Sequence, residues 1–278
     1  MKKAVRIMTL CLAVAALGWG WLCFPKKTAA PAKPAKGNAL PTAETAPFCL
    51  ILVLTDGDEP TGVLRMAFTA KTAELTGLPV HTRLSAGGRF AALGELCTPS
   101  CAETMLAAIT RRFPDPPGEV YLFLTYTSAE RLIQTYFGGV TLTLEKDTPV
   151  PFIGGRLILP AGRCALTPQQ VTAYWRQADD PVTAVQRQAE VIAILLERWL
   201  TTGRQTKADD FFADLVNAGE TNWRVDRYAR QKRTLAALAR SGAAVRCTLP
   251  PGDVVGQGDS RRFELQEFSA LEGAYDYE

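Results

Sequence analysis

Phe137-Gly138-Gly139-Val140, Gly155-Arg156-Leu157-Ile158-Leu159-Pro160-Ala161-Gly162, Leu166-Thr167-Pro168, Tyr174-Trp175-Arg176 and Val185-Gln186-Arg187-Gln188 follow one another in a single span of the chain. The order reads as a glycine pair before a strand, an Ala-Gly turn, a Leu-Thr-Pro helix start, a Tyr-x-Arg, and an Arg-Gln near the start of another helix. That last helix is the clearest element. Asp180 caps it, and Pro181 suits the first helical position, where its missing N–H costs nothing. Val185, Ile192, Leu195, Leu196 and Trp199 recur at three- and four-residue steps and make one buried stripe. Gln188, four residues before Ile192, falls on that inward stripe. An inward amide beside Arg187 near a helix start points to anion binding, because helix N-termini offer unpaired N–H groups and an arginine fork grips phosphate. The plainer alternative is a solvent-facing Arg187 and a hydrogen-bonded core amide at Gln188.

Upstream, Cys49-Leu50-Ile51-Leu52-Val53-Leu54 is a continuous apolar run ended by Thr55-Asp56-Gly57-Asp58. It reads as a central strand buried on both faces. Val63–Phe68 and Leu78–Leu84 give two more strands, with a turn at Thr69–Thr72 between them. Glu103–Arg112 carries Met105, Leu106 and Ile109 at helical spacing and stops at Pro114–Gly118. Val120–Tyr126 is a strand, Ser128-Ala129-Glu130 opens a helix, and Val140–Leu144 is again a strand. Strands alternating with helices predict an α/β domain with a mixed central sheet sandwiched by helices.

The N-terminus sets the compartment. Met1-Lys2-Lys3 and Arg6 precede an uncharged run from Ile7 to Phe24, followed by Pro25-Lys26-Lys27. Such a run reaches about the lower limit for a membrane-spanning helix. A cleaved signal peptide competes, with Thr28-Ala29-Ala30 as the small-residue site, but two preceding lysines and the following Pro31 make that site a poor one. Residues 1–27 are therefore read as an uncleaved single-pass anchor, 28–47 as a Pro/Ala/Lys-rich linker and 48–278 as an extracytoplasmic domain. Net charge is +3, too weak to argue for nucleic acid. Arg224, Arg227, Arg230, Lys232, Arg233 and Arg240 crowd one late segment, which reads as a solvated helix face. Outside the cytoplasm disulfides persist, and Cys97 and Cys101 are the expected pair. The single histidine, His81, makes a zinc site unlikely and reads as a loop residue without a role.

Taken with Glu220-Thr221-Asn222 and Cys247-Thr248-Leu249-Pro250-Pro251-Gly252, the opening motifs resemble the LytR-CpsA-Psr (LCP) family over nearly the whole region after Phe48. The resemblance implies a twisted sheet between helices, a hydrophobic tunnel for a polyprenyl chain, and a mouth where arginines, acidic residues and a magnesium ion hold a pyrophosphate. It implies transfer of a phosphoglycosyl group from a lipid-linked glycopolymer to peptidoglycan, at the outer face of a bacterial membrane. Arg176, Arg187 and Gln188 match the family's Tyr-x-Arg and Arg-Gln elements. Arg83, displaced by one residue in Pro79-Val80-His81-Thr82-Arg83, is the third candidate cation. Asp56, Asp58 and Glu59 are the candidate carboxylates for Mg2+.

The departures from the family are equally specific. Ala178 stands where a second arginine after Arg176 belongs, and Ala184 where another precedes Arg187-Gln188. Each lost clamp removes donors of a kind whose single deletion costs roughly 100- to 1000-fold in rate. Three readings follow. One is a glycopolymer phosphotransferase using Arg83, Arg176, Arg187 and one of Asp56, Asp58 or Glu59. The second is a degenerate member that binds prenyl-pyrophosphate, wall polymer or a partner enzyme without turnover. The third is an envelope regulator or scaffold whose basic late helix docks anionic polymer.

Overall fold

The computed structural model describes residues 45–201, 204–242, 244–256 and 261–266. The expected anchor at 1–27 and the linker up to residue 44 lie outside the described residues. No described helix is long and apolar enough to cross a membrane.

The first strand, β1 (Phe48–Asp56), decides the architecture. All its residues but Asp56 are buried. It pairs antiparallel with β2 (Glu59–Phe68), which pairs antiparallel with β3 (Ala73–Leu78). A short hairpin, β4 (Arg83–Ala86) and β5 (Arg89–Ala92), leads through α1 (Leu93–Leu96) to α2 (Ala102–Arg112). The chain returns as β6 (Gly118–Thr125), parallel to β1 on its other side.

Next come α3 (Tyr126–Tyr136), then β7 (Val140–Leu144), β8 (Thr148–Phe152), β9 (Gly155–Leu159) and β10 (Gly162–Leu166), which form two small antiparallel pairs, β7 with β10 and β8 with β9. Helices α4 (Pro168–Arg176), α5 (Pro181–Thr201) and α6 (Ala208–Ala218) follow. The short β11 (Glu220–Thr221) joins the edge at β6, α7 (Val225–Ser241) follows, and β12 (Val245–Thr248) pairs parallel with β3. A last hairpin joins β13 (Gly252–Val255) and β14 (Arg262–Leu265). The six-stranded sheet thus runs β11-β6-β1-β2-β3-β12 and is mixed.

Alternation along β1 feeds two cores. Leu50, Leu52 and Leu54 join the larger one, built with residues of α3, α4, α5, α6 and α7. Cys49, Ile51 and Val53 join the smaller one, closed by α2 and the β4–β5 hairpin. A strand apolar on both faces needs cover on both, which is why the sheet lies between helices.

The helix starts follow from their caps. Thr167 accepts from the Gln170 N–H and the Gln170 side chain returns to the Thr167 N–H, a reciprocal box that opens α4. Asp180 Oδ1 accepts from the N–H groups of Val182 and Thr183 at 2.9 and 3.0 Å, opening α5. The expected stripe is buried, with Val185 and Gln188 at 0% exposure. The glycine pair also has a steric cause. Gly139 has φ +136, and a Cβ there would lie 2.4 Å from the carbonyl oxygen of Leu166, so α3 leaves directly against the end of β10.

Three expectations are corrected. Leu78–Leu84 is not one strand: β3 ends at Leu78 and β4 starts at Arg83, because Pro79 has no N–H for the ladder and the chain turns there, Thr82 N–H donating to Pro79 O at 2.9 Å. The helix after β6 begins at Tyr126 rather than Ser128, capped by Thr125. Cys97 and Cys101 are not bonded. All described cysteines are free; Cys97 is buried with its Sγ 3.7 Å from Met105 Sδ, while Cys101 belongs to the turn that opens α2.

Because Ile51 is fully buried at the centre of the smaller core, Ile51→Ala should cost about 2–5 kcal/mol. Guanidinium unfolding followed by circular dichroism checks this: the midpoint should fall with little change in slope.

Candidate functional site

Strands β1 and β6 are parallel, so their carboxyl ends meet at one edge of the sheet, where ligands gather in open α/β folds. Leu50 and Leu52 on β1 and Leu122 and Leu124 on β6 share one face and line an apolar cavity of about 170 Å³. Leu132 of α3, Leu195 and Trp199 of α5, Phe211 of α6 and Tyr228 of α7 close it from the helix side. No charged side chain lines this cavity. Asp56 ends β1 two residues past Leu54, and Tyr126, the first residue of α3, follows β6 directly, so both stand at the carboxyl ends of these strands.

There a connected polar cluster begins. Gln188, fully buried on α5, donates through Nε2 to Tyr126 Oη at 2.8 Å and to Thr61 Oγ1 at 3.0 Å. Its Oε1 is buried without a hydrogen-bond partner and lies against Gly62. Burial pushes the Tyr126 hydroxyl's pKa up, and its hydrogen bonds with Thr61 and Gln188 hold it down in part. The Tyr126 ring contacts Trp175 at 5.2 Å and carries the Arg176 guanidinium over its face at 5.3 Å. Arg176 donates through Nε and Nη2 to the two oxygens of Asp56, both at 2.8 Å. That fork holds the Asp56 carboxyl below the usual carboxylate range.

The remaining candidates lie apart. Arg187 sits in a separate groove of about 710 Å³ along α5, where Tyr174, Glu190, Glu145 and Lys146 stand among apolar residues such as Leu144 and Ile194. Its guanidinium lies 4.6 Å over the Tyr174 ring and donates to the Tyr174 carbonyl at 3.0 Å. Burial raises the pKa of Glu190 in that groove, which the nearby Arg187 partly offsets. Arg83 is on the hairpin that closes the smaller core, 3.8 Å from Glu264 and 4.5 Å from the Phe90 ring. The structure therefore brings together Arg176, Asp56 and, through Tyr126, Gln188; no described contact joins Arg187 or Arg83 to them.

Asp58 and Glu59 are exposed, at the β1–β2 turn and the start of β2. Both Asp56 oxygens are engaged by Arg176, and among the described residues no three His, Cys, Asp or Glu side chains converge as a metal site. The carboxylates present do not fit a magnesium caged by protein ligands.

Thr61, Gly62 and Tyr126 were not singled out from the sequence. Tyr126, which the apolar pattern extends from β6, opens α3 instead, and its place in the cluster comes from that turn out of the strand. Gly62 has no local conformational demand: it is a glycine because a Cβ would stand 1.9 Å from Gln188 Oε1.

Two outcomes follow. Gly62→Ala should displace the Gln188 amide and destabilise by about 1–3 kcal/mol, read by thermal unfolding together with loss of the Tyr126 shift by NMR. For the Asp56–Arg176 pair, the folded-state pKa of Asp56 is depressed. Its stabilisation is thus present above about pH 3.9 and lost as pH falls through the lowered value. Both side chains are about 40% exposed, so solvent screening limits the effect to ~1 kcal/mol. Arg176→Ala should lower stability near neutrality by that amount and match the parent once pH has fallen below the lowered Asp56 value, in urea titrations across pH.

No family model and no curated protein sequence matches the chain. Solved structures do. B. subtilis TagV is 14% identical, with TM-score 0.64, covering 80% of this chain and 92% of its own. TagT bound to LIIa-WTA is 16% identical, with TM-score 0.63, covering 79% and 85%. A transcriptional regulator from Enterococcus faecalis is 19% identical, with TM-score 0.60, covering 79% and 82%. TagV and TagT are LCP proteins, and their correspondence runs through the mixed sheet and its flanking helices. The described domain has the LytR-CpsA-Psr fold.

Proposed function

We propose that this domain receives a polyprenyl-pyrophosphate-linked glycopolymer and transfers its phosphoglycosyl group to peptidoglycan, at the outer face of a bacterial membrane to which residues 1–27 anchor it. The observation that supports this most is an uncharged apolar cavity lined by Leu50, Leu52, Leu122 and Leu124 of β1 and β6, with the cluster of Gln188, Tyr126, Arg176 and Asp56 at the carboxyl ends of the same two strands. An isoprenoid chain matches the cavity and a pyrophosphate matches the arginine fork. TagT, of the same fold, has been captured with LIIa-WTA, a wall teichoic acid species, which agrees with a glycopolymer ligand.

The cluster supplies a chemical sequence from its own residues. A pyrophosphate competes with Asp56 for the Nε and Nη2 donors of Arg176, and the released carboxylate accepts the proton of the attacking sugar hydroxyl. The new P–O bond forms to that oxygen, the bond to the lipid phosphate breaks, and Arg176 offsets the charge on the phosphoryl oxygens. Gln188 and Tyr126 hold Arg176 in place from beneath through the Tyr126 ring.

A specific observation favours a second reading, binding without turnover. Alanines at 178 and 184 stand where two further arginines belong, and the Arg176 fork is neutralised by Asp56. Incubating the full chain in detergent with a polyprenyl-pyrophosphate-linked disaccharide and a peptidoglycan fragment separates the two. Transfer predicts release of polyprenyl phosphate and coupled product, falling roughly 100- to 1000-fold in Arg176→Ala. Retained donor with no product establishes the second reading. Ala208→Trp, which fills the cavity at the start of α6, should abolish donor retention while leaving the unfolding midpoint nearly unchanged; undiminished retention would remove the cavity from the proposal.

A further inference from the structure

Helix α7 has two dissimilar faces. Tyr228, Thr234 and Leu238 are buried, and Tyr228 and Leu235 line the apolar cavity. About half a turn away, Arg230, Arg233 and Arg240 are exposed at helical spacing on the outer surface, with the exposed Arg224 at the cap and Val225 72% exposed beside it. Asp226, exposed one turn before Arg230, offsets one charge and leaves the face net positive. Asp209 is engaged by Lys232 and by Tyr228 Oη, and Asp226 stands on the first turn, where the helix dipole favours it. Exposed Asp210 belongs to α6, beside the Asp209–Lys232 pair.

The route of the chain adds an independent observation. Thr234 on α7 donates to the carbonyl of Ala46 at 2.8 Å, so the polypeptide arriving from the N-terminal side enters the domain against this helix. Phe24, the end of the uncharged run, is only 22 residues before Ala46. Extended chain of that length spans at most roughly 75 Å. The point of chain entry, on the inward side, and the basic residues, on the outward side, thus belong to one helix, and a tethered surface needs little intrinsic affinity to stay engaged.

We infer that the outer face of α7 docks on the anionic headgroups of the membrane through Arg230, Arg233 and Arg240. This rests on the reading of residues 1–27 as an anchor. The attraction of one basic side chain to an anionic lipid surface corresponds to about fivefold in binding, so three act together where one would not. The docked orientation has a use for the proposed ligand. The apolar cavity lies behind α7, one helix diameter of roughly 10 Å from the headgroups, on the side from which a membrane lipid tail arrives.

The test uses the full chain with phosphatidylcholine vesicles and with vesicles containing 30% phosphatidylglycerol. Vesicle flotation reports the anchor, and phenylglyoxal labelling followed by mass spectrometry reports each arginine. Docking predicts that labelling of Arg230, Arg233 and Arg240 falls at least about fivefold in the anionic vesicles and recovers in high salt. Arg89, exposed on the hairpin that closes the opposite core, should label equally in both. Flotation with both vesicles and equal labelling in both keeps the anchor and overturns the docking. Flotation with anionic vesicles alone, lost in the triple variant R230Q/R233Q/R240Q, removes the anchor and keeps the docking face. Protection produced by soluble polyglycerol phosphate in zwitterionic vesicles, with none from phosphatidylglycerol, assigns the face to polymer and overturns the proposal.

Discussion

The parallel pairing of β1 with β6 is the constraint on which the rest depends. Two parallel neighbours need a crossover between them, and the chain supplies it with β2, β3, the small hairpin and α2. That crossover covers one face of the sheet and leaves the other for α3 to α7. The pairing also aligns two carboxyl ends. Leucines that build the larger core run up both strands and hand over, at the same edge, to a carboxylate and a phenol. The apolar cavity is lined by the middle of these two strands, and the polar cluster stands where they end.

Electrostatically the cluster is reserved rather than open. Arg176 is already paired with Asp56, and Gln188 already donates both its amide hydrogens. A ligand must therefore exchange partners instead of occupying spare donors. Such exchange lowers net affinity, since each bond made to ligand replaces one made within the protein. It favours a ligand carrying more charge than the carboxylate it displaces, which a pyrophosphate does.

Much of this was legible in the sequence. β1 announced itself because burial on both faces leaves an unbroken apolar run, and α5 because Asp180-Pro181 and the stripe from Val185 to Trp199 agree with one another. Gln188 was readable as inward from spacing alone, and is hydrogen-bonded in the core. What escaped was set by tertiary contact. Gly62 is required by a side chain far along the chain, Tyr126 acquires its role from Arg176 and Gln188, and Cys97 packs on Met105 instead of reaching Cys101. The separation of Arg187 from Gln188 follows from helical geometry: adjacent residues point about 100° apart, so a sequence pair becomes two environments. Asn222, legible only as part of a tail motif, satisfies the edge of β6, accepting from Tyr121 N–H and donating to Glu119 O where β11 has ended.

The attachment at Ala46 has a mechanical meaning. Tension arriving along the polypeptide from its N-terminal side first meets Thr234, then pulls on β1 at Phe48, lengthwise and from the middle of the sheet. The hydrogen bonds to β2 and β6 lie across that direction and share the load in shear, so they cannot be opened one at a time like a zip. An edge strand in the same place would peel. By beginning at the centre of its own sheet, the domain can be pulled on from that end while its cavity and polar cluster keep their shape.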